Sequence, residues 1–120
     1  MLYAFGCSFT YGVSCINPKT DSWPVLLADL LGTSCTNYGL PGASNDYIFK
    51  TVLENITKID KDNDIIVIMM TGSSRRYFRK QNISPNTKND IAKTFYKYLH
   101  DEECDSINFL QNLNAIHNIL

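Results

Sequence analysis

A chain of 120 residues, 44% hydrophobic and carrying a net charge of −1, has room for one domain over residues 1–120 with an adequate but small core. The near-neutral balance excludes a general electrostatic footprint for nucleic acid or an anionic membrane, and the local cluster Arg75, Arg76 and Arg79 is too small to change that. No apolar run reaches the roughly 20 residues that span a bilayer.

The first apolar run, Leu2 to Phe5, stops at Gly6, as expected of a buried first strand. Gly6 to Thr20 is polar and turn-rich and reads as a loop. Trp23, Leu26, Leu27, Leu30 and Leu31 then recur at helical spacing, with Ser22 as N-cap, Pro24 in the first turn and Gly32 at the C-terminal end. Ser34 to Tyr38 fits a short second strand, followed by a loop from Gly39 to Ser44. A second helix starts near Ser44 or Asn45 and carries Ile48, Phe49, Val52, Leu53 and Ile56.

Ile65 to Met70 is the strongest strand signal, an unbroken run that predicts burial on both faces. Thr71 to Asn86 reads as a loop with a short helical turn around Arg75 to Arg79. Two further helices are expected, one around Ile91, Phe95, Tyr98 and Leu99, the other around Phe109, Leu110, Leu113, Ile116 and Leu120.

The order β-α-β-α-β-α-α implies a three-layer α/β/α, flavodoxin-like fold with a short parallel sheet in strand order 2-1-3. The last helix ends where a fourth strand is expected, so the chain reads as a C-terminally truncated version of that fold.

Cys7, Cys15, Cys35 and Cys104 form no CxxC pair, and His100 and His117 do not complete a zinc set, so neither a metal nor another cofactor is expected. No secretory leader is legible, because Met1 to Phe5 lacks a basic flank and is interrupted by Gly6 to Gly12. Free thiols and a reducing, cytoplasmic compartment follow.

Ligands of open parallel sheets sit at the carboxyl ends of the strands. Three loops emerge there: Gly6 to Gly12, Gly39 to Asn45, and Thr71 to Arg79. In the first, Gly6-Cys7-Ser8-Phe9-Thr10 puts a serine in a tight turn after a buried strand, where its hydroxyl and nearby N–H groups can face a ligand. The plainer reading is that Ser8 and Thr10 satisfy turn backbone. In the second, Gly42 precedes a helix start that favours an anion. Asn37, Ser44 and Asn45 are candidate binding residues in the same segment, or a brace and a cap. In the third, Arg75 and Arg76 could clamp a carboxylate, sulfate or phosphate, or form a solvated basic turn.

Together the first two loops resemble the SGNH (GDSL-type) hydrolase family. Gly6-Cys7-Ser8-Phe9-Thr10 is similar to its GDSxT block with Cys7 in place of the Asp. Asn37 through Ser44 is similar to its second block, in which a Gly five residues after an Asn donates to the oxyanion hole. The Trp23–Leu31 helix and Pro41-Gly42-Ala43-Ser44-Asn45-Asp46 resemble a divergent branch found in phages and environmental bacteria.

The resemblance covers residues 1 to 80 and, more loosely, the last helix. It implies Ser8 as nucleophile and the N–H groups of Ser8 and Gly42 as oxyanion donors. Ser73 of Thr71-Gly72-Ser73-Ser74 falls where the family places an oxyanion-hole Asn, a change that weakens one donor; losing such a donor costs about 3 kcal/mol of transition-state stabilisation.

The family's DxxH segment has no counterpart. His100 beside Asp101 and His117 within the last helix read as cap, surface or interface residues. The resemblance thus implies a serine esterase or acyl (acetyl) hydrolase on a small-molecule or carbohydrate ester. Its base would come from outside this segment, through a homo-oligomer, a second chain or a missing downstream segment, and neither nucleic acid nor membrane would be a partner. The alternatives are a catalytically inactive SGNH-fold binding or virion-associated protein, and a flavodoxin-like binder of phosphate or nucleotide.

Overall fold

Leu2–Gly6 form strand β1, and every residue of it is buried. In the computed structural model, which describes residues 1–120, β1 is the middle of a three-stranded parallel sheet ordered β2-β1-β3. Strand β2 is Cys35–Gly39 and β3 is Ile65–Ile68. The helices are α1 (Ser8–Tyr11), α2 (Pro18–Asp21), α3 (Trp23–Leu30), α4 (Asn45–Asn55), α5 (Asp90–Tyr98) and α6 (Glu102–Ile119). The class and strand order expected from the alternating pattern are those observed, and the arrangement is a small flavodoxin-like α/β fold.

Alternate residues of a strand leave on opposite faces, and β1 serves both. Tyr3, Phe5 and Cys7 pack with Ile48 and Val52 of α4 and Ile116 of α6. Leu2 and Ala4 pack on the other side with Ala28, Leu27 and Trp23 of α3. Tyr38 of β2 stacks on Phe5 with ring centroids 5.0 Å apart, closing the first layer beside the sheet. No helix is long and apolar enough to cross a membrane.

Four expectations are corrected by the structure. The Gly6–Thr20 segment is not wholly loop but contains α1 and α2, each four residues long, too short for a 3.6-residue period to register in the sequence. Ser22 occupies the N-cap of α3 and is buried, yet its hydroxyl makes no cap bond and instead accepts from the Asn37 amide at 3.4 Å. Strand β3 is not buried on both faces: it lies at the sheet edge, with Ile65 exposed and Ile66 to Ile68 half-buried.

The fourth correction is the segment after β3. It forms an antiparallel hairpin, β4 (Arg76–Phe78) and β5 (Gln81–Ile83), rather than a helical turn. The pairing of Phe78 with Gln81 leaves Arg79 and Lys80 as a two-residue turn, and both have positive φ, 45° and 64°. Hairpins favour this turn for its twist, but normally announce it with Asn-Gly or a similar pair. Arg-Lys carries no such signal.

Helix α1 lies against the end of β2 at backbone contact. A Cβ on Gly39 would stand 2.3 Å from the Tyr11 nitrogen and 2.7 Å from the Thr10 carbonyl carbon. Neither is a flexible side-chain end, so Gly39→Ala forces α1 off the sheet. Urea denaturation of Gly39→Ala is expected to show a loss of about 1–3 kcal/mol, the usual range for overpacking. An unchanged midpoint would show that α1 is not seated as described.

Candidate functional site

The three loops expected at the carboxyl edge are tied to one another there. Asn45, at the first position of α4 and almost fully buried, pairs both ends of its amide with the backbone of Thr71. Its Nδ2 donates to the Thr71 carbonyl at 3.0 Å, and its Oδ1 accepts from the Thr71 N–H at 2.8 Å. The side chain thus continues the hydrogen-bonding of a strand edge and holds the third loop to the second. Arg75 reaches back to the Ala43 carbonyl with Nη1 at 3.4 Å.

Asn37 ties the first loop to the sheet. Its Nδ2 donates to the Thr10 carbonyl at 2.7 Å, and its Oδ1 accepts from the Gly39 N–H at 2.8 Å. Both ends of the amide are therefore used inside the protein, the bracing role. Ser44 is the N-cap of α4, where its hydroxyl accepts from the Tyr47 N–H at 3.2 Å. Asn82 of β5 fixes it from the other side, accepting from the Ser44 N–H at 2.9 Å and from its hydroxyl at 3.0 Å.

Ser8 is the first residue of α1, one step beyond the buried Cys7. Its hydroxyl has a single long partner, the Cys7 sulfur at 4.0 Å. The N–H groups of Ser8 and Gly42 donate no hydrogen bond within the chain, and Gly42 has φ of +79° with open space where a Cβ would stand.

Burial pushes the pKa of the Cys7 thiol up, but the Phe9 N–H, the Thr71 and Ser8 hydroxyls and the Arg75 charge together outweigh it and bring the pKa below its ordinary value. Cys7 thus sits in a field that favours negative charge.

Ser8 also lines a groove of about 460 Å³ between α1 and the start of α3, with Phe9, Val13, Trp23 and Leu26 among its walls.

No protein-family model matches the chain, and neither a curated protein nor a solved structure matches it.

Ser73 offers its carbonyl, not a side-chain amide, to the surroundings: it accepts from Arg76 Nη1 at 3.1 Å. Arg76 is largely committed. Its Nη2 pairs with Asp105 Oδ1 at 2.7 Å, with side chains 12% and 5% exposed, and its Nη1 donates to Asn108 Oδ1 at 2.7 Å. The guanidinium that could have clamped an anion instead joins the β4–β5 hairpin to α6.

His100 belongs to the same cluster, with Nε2 2.6 Å from Asp105 Oδ2. Its partner is not the adjacent Asp101, which caps α6 by accepting from the Glu103 N–H at 3.0 Å. His117 is exposed on α6 beside Leu110 and Leu113. Neither histidine hydrogen-bonds Ser8.

Several members of this framework carried no sequence signal. Asp46 accepts from Asn108 and Asn112 of α6 at 3.0 and 2.9 Å and from the Tyr77 N–H at 3.2 Å. Partners separated by 62 and 66 residues share no periodicity that a linear reading could find. Tyr96 places its hydroxyl against the Ser74 and Ile83 carbonyls, and burial, reinforced by the Asp105 charge, pushes it up to about 12. No group of three or more His, Cys, Asp or Glu side chains is arranged to hold a metal ion.

Two variants test this framework. Asn45→Ala leaves the Thr71 N–H and carbonyl without their partner and is expected to cost about 2 kcal/mol or more in urea denaturation. Asp105→Asn leaves Arg76 without its counter-charge in a site of low exposure, and a loss of about 3–5 kcal/mol is expected in the same measurement. A loss below about 1 kcal/mol in either would mean that water replaces the partner, and hence that the edge is more open than described.

Proposed function

We propose that this chain is a serine hydrolase of SGNH type acting on a carboxylic ester. The reading is carried by one juxtaposition: Ser8 stands at the start of a helix directly after the central strand, and the N–H groups of Ser8 and Gly42 are both unpaired at the same sheet edge. Unpaired donors held by a rigid frame are what an oxyanion hole requires, because they need no reorganisation when charge develops. Asn37, Gly39 and Asn45 supply the frame.

In the reaction, the Ser8 Oγ forms a bond to the ester carbonyl carbon while its proton passes to a base. Collapse of the tetrahedral oxyanion expels the alcohol, which takes up that proton. Water then cleaves the acyl-serine, releasing the carboxylic acid and restoring the hydroxyl.

No imidazole of this segment hydrogen-bonds Ser8, so the base would be an imidazole from a second chain or from a downstream segment. His100 is engaged by Asp105, whereas His117 carries no hydrogen bond within the chain and lies exposed on α6. General-base assistance contributes about 10²–10⁴-fold, so Ser8 in an isolated chain is a slow nucleophile.

A second reading is favoured by one observation: the Ser8 hydroxyl has no carboxylate or imidazole partner, only the Cys7 sulfur at 4.0 Å. An SGNH-fold binding protein that keeps the loops without the chemistry would look the same. For the phosphate-binding alternative, Arg76 is already committed to Asp105.

A fluorophosphonate probe is expected to label wild-type protein at Ser8 and to leave Ser8→Ala unmodified, with the labelled fraction rising with protein concentration. His117→Gln is expected to remove that concentration dependence. Absence of labelling at every concentration would select the binding-protein reading.

A further inference from the structure

The groove that opens at Ser8 is unlike the polar edge around Gly42. Three of its walls are large apolar side chains left in solvent: Phe9 is 74% exposed, Val13 56% and Leu26 49%. A fourth, Trp23, is half-buried, and its indole nitrogen is buried without a partner. Single apolar residues on a surface need no explanation, but a contiguous set lining a concave feature marks a binding site. At about 460 Å³ the groove falls within the size range of small-ligand clefts.

We infer that this groove holds the acyl chain of the substrate, and that the substrate class is a neutral ester of a medium-length aliphatic acid rather than an acetylated sugar. The inference rests on the hydrolase reading for the role of Ser8, and adds what that reading leaves open. With the reacting carbonyl at Ser8, an alkyl chain entering this groove meets Phe9 and Val13 of the first loop and Trp23 and Leu26 of α3. A sugar would leave most of its hydroxyls against Phe9, Val13, Trp23 and Leu26, with only Ser14 and Asp21 of the groove beyond Ser8 itself offering side-chain oxygens.

Asp21 sharpens the choice at the rim. Its carboxylate accepts from the Thr20 hydroxyl at 2.6 Å and the Asn17 N–H at 3.0 Å, and the first of these bonds, then the second, hold its pKa below the usual carboxylate value. It is ionised at neutral pH. A fixed negative charge beside the groove disfavours a free fatty carboxylate relative to its neutral ester, so substrate is retained and the acid product is released.

Trp23 is the chain's one tryptophan and lines the groove, which makes its fluorescence a local reporter. Ser8→Ala protein is titrated with the methyl esters of butanoic, hexanoic and octanoic acids while Trp23 emission is followed. Wild-type protein is labelled in parallel with methyl, butyl and octyl fluorophosphonates.

Affinity is expected to rise by about three- to fourfold per methylene, the increment for burying one CH₂, and the labelling rate is expected to rise with chain length in the same order. Leu26→Glu is expected to flatten both gradients. Labelling of Ser8 with no dependence on chain length, together with no gradient in Trp23 emission, would overturn the acyl-chain assignment and leave the hydrolase reading standing. A chain-length gradient in Trp23 emission without labelling of Ser8 would support the groove as an alkyl site and overturn the hydrolase reading instead.

Discussion

The contact on which the site depends is the backbone approach of α1 to the end of β2. A strand buried along its whole length, as β1 is, delivers its chain to the sheet edge with little freedom, and the next residues must satisfy their polar groups at once. Here they do so by turning into α1, whose Thr10 carbonyl is taken by the Asn37 amide and whose Tyr11 nitrogen rests where a Gly39 side chain would be. Ser8 is held at the first turn of that helix because α1 cannot shift without breaking these contacts. The short hydrogen bond and the missing side chain act together, each of little use without the other.

The second half of the chain is attached by polar contacts as well as by Ile116 of α6 in the core. Arg76, Asp105, His100, Asn108, Asn112 and Asp46 form one connected set spanning α4, β4 and α6. Fully satisfied polar networks of low exposure specify a unique arrangement more than they stabilise it, because desolvation offsets much of the attraction. Such a junction suits an edge whose loops must keep a fixed geometry. It also explains why Arg76 and His100, residue types that draw attention as binders or bases, have structural partners. Their charge and hydrogen-bonding capacity is used to orient the hairpin and the last helix.

Ser8 stands between two different environments. On one side, Cys7 faces the Thr71 hydroxyl and the Arg75 charge, a setting that favours anions. On the other, the groove past Phe9 and Trp23 is apolar. An acyl-transfer site needs this division, since charge develops on the carbonyl oxygen while the chain attached to the same carbon seeks burial.

The sequence by itself determined the α/β class, the strand order β2-β1-β3 and the three loops at the carboxyl edge of the sheet. These follow from periodicity and from the handedness of short crossovers, which are local properties. The boundaries of α3 and α4 were legible for the same reason, with Ser44 as a working cap. Tertiary structure alone decided the rest. The β4–β5 hairpin turns on Arg79 and Lys80 in left-handed conformations that their residue types do not advertise, so tertiary contacts maintain it: packing against α4, Asn82's hold on Ser44, and the Arg76 and Tyr96 bonds. The pairing of Asp105 with Arg76 and His100, and of Asn45 with Thr71, joins groups distant in the chain whose partners are chosen by proximity after folding. Burial of β3 was likewise a matter of neighbours: an apolar run states that a strand can be covered, and only the assembled sheet decides on which sides it is.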